Sequence, residues 1–448
     1  MLFGAILYRD LLKEVDDRDC QTHRIIVAHK NKNESATQFY QPVKKEVTMK
    51  REKLFLIGIL LVFLVVMLST VTFSKARAAD VKTLKIGYVL CVSGWYSVFD
   101  AVEEGHLKIV AQMINDRGGL TIKGQKYKIE LVGEDGKSAL DGITAAATRL
   151  AYDHQVKFVV GPTGFFSTGS SPVFEQNKIL HVSGYVSNQP GELDASTPYG
   201  FLAFDASIGT TIGALKVMKK EFPDVKRVAV VSPDDGAIPY LIPLVKNLLE
   251  KNGYIMAGDV VAFPNEMEDF SPIAAKLNAI KDADAVFVEN GSPIAVGNIA
   301  KGLRALGNNK PIVYQGLSSC KDIRAIAGKE ASNDITTMGL TPLAEGNPPL
   351  MDEVYRRSGE KEPIFLFNPN GLWVLAHVIQ AADSLDPAVV KAKWETMDTI
   401  ECLFGTGIFS GDKTYGLKHH ALGHPLPYQK LVNGEVVYGG WIDVGPIP

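Results

Sequence analysis

Short apolar runs alternate with longer segments of helical periodicity along most of this chain. The run "TLKIGYVL" (83–90) is continuous enough for a strand buried on both faces. In "VEEGHLKIVAQMINDRGG" (102–119) apolar residues recur at helical spacing and two glycines end the helix. "QKYKIELVGED" (125–135) alternates as a strand, "SALDGITAAATRLAYDH" (138–154) is helical, and "VKFVVG" (156–161) is a strand again. "VVGPTGFFSTGSSPVF" (159–174) then reads as strand, open loop and helix start, with Ser170 and Ser171 at the cap and Pro172 in the first turn. "ILHVSGY" (179–185) is the next strand.

The pattern restarts after residue 205. Strands are expected at "RVAVVSPDDG" (227–236), "MAGDVVAFP" (256–264), "DAVFVENG" (284–291) and "KPIVYQG" (310–316), with a helical segment before or between each. Strands alternating with helices imply a parallel, doubly wound sheet with right-handed crossovers. So many strands fit two lobes better than one sheet. The expected fold is therefore α/β, two lobes, each built on its own sheet.

The front end departs from this pattern. Residues 49–53 are basic, 54–68 are 15 residues without a charge, and Ala76-Arg77-Ala78 fits a small-x-small cleavage box. That order reads as a secretory signal peptide over 49–78. An uncleaved anchor is the alternative, since 54–73 is long enough to span a bilayer. A signal starting at Met49 makes residues 1–48 a mis-assigned extension. No cysteine follows the apolar core, so the product is expected to be exported and free of the membrane.

Removing residues 1–78, which hold 13 of the 47 Lys/Arg and 8 of the 50 Asp/Glu, leaves a net charge of −8. An acidic chain argues against a nucleic-acid partner. Cys91, Cys320 and Cys402 remain, an odd set without CxxC or zinc spacing, so no disulfide framework is expected. The "HHALGH" stretch with His419, His420 and His424 has no carboxylate or cysteine beside it and reads as a packing loop rather than a metal site. No cofactor motif appears: a Walker A loop, a GxGxxG after the first strand and a GxSxG elbow are all missing.

Ligands of open α/β sheets bind beyond the carboxyl ends of the strands. Here those ends are rich in glycine and hydroxyls. The first three carry aromatics: Trp95, Tyr96 and Phe99; Phe165 and Phe166, followed by Ser167; and Tyr185, followed by Ser187. The later ones carry Asp235, Glu289, Asn290 and Gln315. Two such rims facing each other would form a cleft between lobes.

In the order and spacing of its stretches the chain resembles the periplasmic leucine/isoleucine/valine-binding protein family, the type I solute-binding proteins of ABC importers. The matching stretches are "LKIGYVLCVSG", "AQMINDRGGLTIKGQKYKIELVGED", "VKFVVGPTGFFSTGSSPVFEQNKILHVSGY", "RVAVVSPDDG", "DFSPIAAKLNAIKDADAVFVENG" and "GLRALGNNKPIVYQG", and the likeness covers about 83–445. It implies two lobes joined by three crossing segments, with 80–204 and 336–411 in the first and 205–335 and 412–448 in the second. It also implies closure on a small molecule, delivery to permease subunits, a periplasmic location, a monomer and no chemistry. A sensing receptor of the same fold and, more remotely, an exported hydrolase are the rival readings.

Much of the pocket that the resemblance implies is replaced. The loop serine of the family falls at Phe165, with Ser167 and Thr168 nearby. Its alanine–threonine pair falls around 185–187, and its tyrosine near Gly291. The acidic residue that would hold a ligand ammonium should follow 310–316, where this chain has Gln315-Gly316-Leu317. The disulfide of close relatives would join positions near Lys137 and Gly164. A buried ammonium needs a carboxylate partner. Glu289 could supply one; otherwise the aromatic positions and a helix N-terminus favour an aromatic or apolar carboxylate.

Overall fold

The computed structural model of the chain describes residues 81–448 apart from 187, 205–206, 235, 265–266 and 340–345, and apart from the side chains of Val98 and Phe165. The expectations for the N-terminal extension and signal segment, for Ser187 and Asp235, and for the Phe165 side chain lie outside the described residues.

The strands of the first half are β1 (Lys82–Leu90), β2 (Leu120–Ile122), β3 (Gln125–Asp135), β4 (Phe158–Val160), β5 (Leu180–Ser183) and β6 (Gly200–Leu202). Those of the second half are β7 (Arg227–Pro233), β8 (Ile255–Met256), β9 (Val261–Phe263), β10 (Ala285–Val288), β11 (Ile312–Leu317) and β12 (Ile335–Met338). Beyond them come β13 (Thr399–Cys402), β14 (Gly405–Ser410), β15 (Ala421–Gly423), β16 (Leu426–Val432) and β17 (Glu435–Ile442). The helices are α1 (Ser97–Asp116), α2 (Leu140–Thr148), α3 (Ser167–Gln176), α4 (Ile208–Glu221), α5 (Ile238–Lys251), α6 (Ser271–Ala279), α7 (Pro293–Ala305), α8 (Cys320–Ala327), α9 (Pro349–Ser358), α10 (Phe367–Ala382) and α11 (Pro387–Trp394).

Two sheets result. The first has the order β13-β14-β15-β6-β5-β4-β1-β3-β2, and the second β17-β16-β12-β11-β10-β7-β8, with β9 also pairing β7. Their centres are parallel, as the apolar runs predict; β1 aligns with β3 from Lys82↔Tyr127 to Leu90↔Asp135. Their edges are antiparallel, at β13-β14-β15 in the first and β12-β16-β17 in the second.

Sheet membership moves two of the expected lobe boundaries. β12 extends the ladder of β11 and so belongs to the second sheet, whereas the expected boundary fell at 336. β15 pairs β14 and β6 and keeps the first sheet going past 412. The first helix turn of the 159–174 stretch also starts earlier, at Ser167, with Pro172 inside the helix. The reason is local: the Ser170 and Ser171 hydroxyls donate back to the Ser167 carbonyl (3.1 and 2.8 Å) instead of capping.

The chain passes between sheets after β6, after β12 and after β15, the three crossings the resemblance implied. A further pass follows β17. Ile447 N donates to Ser410 Oγ (3.0 Å), and Gly411 N donates to the Ile447 carbonyl (3.0 Å), so the 443–448 tail returns to the first sheet. The largest apolar cluster follows these passes. It runs from β1 and α1 through Phe204, Ile208, Leu426 and Val444 into α4 and α5. Burial of that kind, at about 25 cal/mol per Å² of apolar surface, makes the crossings part of the core.

Candidate ligand-binding cleft

The first strand-end loop is pinned before its aromatics are placed. Asp135, at the end of β3, accepts from Ser93 Oγ (2.5 Å) and from Ser93 N (3.3 Å). These bonds hold its carboxyl below the usual range despite partial burial, which acts the other way. Ser138 Oγ accepts from Tyr96 N (3.0 Å) and donates to the Ser93 carbonyl (2.7 Å). The loop thus presents Trp95, which is 63% exposed, and seats Tyr96 beneath it.

Four of the expected residues meet here. Trp95 and Tyr96 pack edge to face at 5.3 Å, Tyr96 lies 5.0 Å from Phe99, and Phe166 sits 5.9 Å from Trp95 and 5.4 Å from Tyr96. Such ring pairs add stabilisation beyond their area. Phe166 is buried while Phe99 is 37% exposed, so the cluster has an inner wall and an outer edge. Tyr185 joins from β5: its carbonyl accepts from Gly164 N (2.8 Å), and its ring lies 3.0 Å from where a Gly164 Cβ would stand. Only glycine allows that approach, at a φ of +62°.

Directly after these rings the chain enters α3. Ser167 is buried at its first position, and its Oγ has no hydrogen-bond partner among the described residues. A tight helical turn over Gly164–Phe166 runs straight into α3, so the polar group offered beside the rings is the buried Ser167 hydroxyl.

The second-lobe residues are placed differently. Glu289 is fully buried, and both its oxygens accept from the Thr211 hydroxyl. Gln315 is buried, and its Oε1 accepts from Thr210 Oγ1 (2.5 Å). Asn290 occupies a left-handed turn at φ +59°. Burial, then the charge of Glu289, pushes the Tyr314 phenol up, and its hydroxyl donates to the Gly291 carbonyl (2.7 Å). Glu289 and Gln315 therefore bond across the join between β10, β11 and α4.

The sequence reading missed Thr210 and Thr211, whose hydroxyl pair opens α4, and Phe365, which packs on Phe99 at 5.5 Å. The alternating aromatics of "IFLF" before α10 were the available signal for Phe365. The histidines lie in the first lobe's core and at a crossing: His420 stacks on Phe201 at 4.0 Å and His424 on Phe404 at 4.6 Å. Cys91, Cys320 and Cys402 are buried and free. A cavity of about 590 Å³ lies to one side, lined by Ser319, Lys321, Arg324, Glu362, Gln429 and Val436 among others. Its cations are already paired, Lys321 with Glu362 and Arg324 with Glu435, and it includes none of the expected site residues.

The periplasmic binding protein family model matches residues 83–435. The chain belongs to this family. Among solved structures, this periplasmic binding protein is similar to the branched-chain amino acid transporter substrate-binding protein LivJ of Streptococcus pneumoniae, in complex with isoleucine. They share 20% identity and a TM-score of 0.62 over 81% of this chain and 99% of that one. A Rhodopseudomonas palustris HaA2 solute-binding protein in complex with p-hydroxybenzoic acid is 17% identical, with a TM-score of 0.63 over 82% of this chain and 98% of that one. A Rhodopseudomonas palustris BisB5 protein in complex with 3,4-dihydroxybenzoic acid is 16% identical, with a TM-score of 0.61 over 82% and 99%. These likenesses establish the fold, a type I periplasmic binding protein. Among the described residues no helix is long and apolar enough to cross a membrane.

Proposed function

We propose that the chain is the periplasmic solute-binding component of a branched-chain-amino-acid-type ABC importer, that it closes as a monomer on a small aromatic carboxylate, and that it hands this to permease subunits without altering it. The observation that carries the ligand class is the Trp95–Tyr96–Phe99–Phe166 cluster beside the unpartnered Ser167 hydroxyl. The rings offer stacking area, and the buried Ser167 hydroxyl can donate to a carboxylate. The complexes of similar proteins with hydroxybenzoic acids agree with this reading.

Thermal shift of the purified protein with benzoate, 4-hydroxybenzoate, leucine and phenylalanine tests this reading, since a ligand that binds only the folded state raises the midpoint. Stabilisation by the benzoates and not by the amino acids is expected. Stabilisation by leucine or phenylalanine alone overturns the ligand class and leaves the binding-protein reading standing. Hydrolysis of a bound ester or amide would overturn both.

A further inference from the structure

The loops that carry the candidate site rest on one buried polar cluster. Asp100 and Glu103 lie one turn apart on α1, each 1% exposed. Asp100 accepts from Cys91 N (2.7 Å) at the end of β1 and from the Thr163 hydroxyl (3.5 Å) in the loop after β4. Glu103 accepts from the backbone N (3.1 Å) and Nδ2 (2.5 Å) of Asn368 in the first turn of α10, and the same Nδ2 reaches Thr163 Oγ1 (3.0 Å). Asn368 Oδ1 is wedged between two backbones: a Cβ on Gly184 would come within 2.7 Å of it, and one on Gly161 within 3.5 Å.

This cluster is short of protons. It holds two carboxyls, yet no lysine or arginine among the described residues pairs with either. The neighbouring titratable groups do not supply a cation. The Cys91 thiol is pushed up to about 12 by burial, and burial raises the Tyr96 phenol as well. Asp135 adds negative charge from β3. Glu104 is engaged with Tyr88 and Lys108, and burial holds His106, in the next turn, below its usual range. Glu353 and Arg357 of α9 pair at the far end of α1, with Arg117 and Asp116. Meanwhile Asn368 Oδ1 is buried with no donor. One neutral carboxylic acid supplies the missing donor once the amide turns over, and it removes a second negative charge from the interior.

We propose that at least one of Asp100 and Glu103 stays protonated at neutral pH and that, through Thr163 and Asn368, the two act as positioning residues for the 91–96 and 161–166 loops, which loosen when the last proton leaves. Burial, chiefly, places the two carboxyls at about 7 and about 8, so the release falls in a mildly alkaline range. The consequence for binding rests on the ligand reading above; the proton and the loop response do not.

The test uses the purified protein between about pH 6 and about pH 9. Infrared spectra should show a neutral carboxylic acid band that disappears across this range and is absent from the D100N/E103Q variant. Acrylamide quenching assigned to Trp95, by difference from W95F, should rise in the same transition and stay flat in D100N/E103Q. Benzoate affinity should fall about tenfold per pH unit above the transition, because only the protonated form is competent. If benzoate binds at no pH, the ligand reading fails while the two spectroscopic readouts still judge the cluster. Absence of the band at about pH 6, or Trp95 quenching that does not follow its loss, overturns the proposal. If the double variant does not fold, D100N and E103Q singly are read in the same way.

Discussion

The Thr211 hydroxyl donates to both carboxylate oxygens of Glu289, at 3.1 and 3.0 Å, deep in the join between α4 and β10. This contact ties Glu289 to the first turn of α4. Thr211→Val keeps the shape and removes this donor from a fully buried carboxylate. A loss of about 1–3 kcal/mol is expected in urea unfolding. Benzoate-induced stabilisation should persist in the variant. A stable Thr211→Val protein would show that Glu289 does not depend on this contact.

Stability should decline towards both alkaline and acid pH, with different groups driving each limb. Asp100 and Glu103 have folded values of about 7 and about 8, raised mainly by burial. Their contribution is complete below the unfolded carboxylate range and disappears as pH rises through 7 and 8. Burial works the other way on histidine: His424 is held at about 4, and His106, His377 and His420 are lowered too. Their contribution is complete above the unfolded value of 6.5 and declines as pH falls towards 4. Urea midpoints measured across this range should therefore fall on both sides. D100N/E103Q should flatten the alkaline limb and, because these carboxyls also offset the histidines between their unfolded values and pH 6.5, steepen the acid one; an unaltered alkaline limb would count against these two carboxyls.

How much of this was legible follows from where each residue's partners lie. The strands at 86–90, 228–231 and 285–288 were readable because parallel strands buried on both faces are apolar without interruption. The antiparallel edge was not: "EVVYGGWI" (435–442) is half exposed, and its place depends on pairing with β16 and, through it, β12. The aromatic rim could be read because each of its rings follows directly on an apolar strand run. The partners of Glu289 and Glu103 stand 78 and 265 residues away, and no local pattern announces Thr211 or Asn368.

Trp95 and Phe166 separate affinity from stability within one cluster. Trp95 is 63% exposed, so Trp95→Ala should change folding stability by no more than about 0.5 kcal/mol. If its ring forms the outer wall for an aromatic ligand, benzoate affinity should fall about fivefold or more, in line with the loss of one stacking contact. Phe166→Ala removes a buried ring and should cost about 3–5 kcal/mol in urea unfolding. Calorimetric titration with benzoate decides the first part; unchanged affinity in Trp95→Ala would remove that residue from the site.

The returning tail offers a test of the fourth passage between sheets. A Cβ on Gly423 would stand 2.0 Å from the Gly445 carbonyl oxygen, and that neighbour is backbone, with no flexible end to swing away. Gly423→Ala must therefore displace the tail, along with its buried Val444 and Ile447 and the Ile447–Ser410 contacts. The tail should become open to carboxypeptidase, with residues after 442 trimmed at a rate that leaves the wild type intact. Gly105→Ala is the matched control: nothing lies within 4 Å of its Cβ position, it is exposed on α1, and alanine there should add about 0.5–1 kcal/mol. Equal trimming in both variants would mean that the tail is held by something other than its seat against Gly423. Trimming in Gly423→Ala alone would make the 443–448 segment a structural link between the two sheets, because its release depends on a single close approach on the first sheet while its other end stays fixed to β17 on the second.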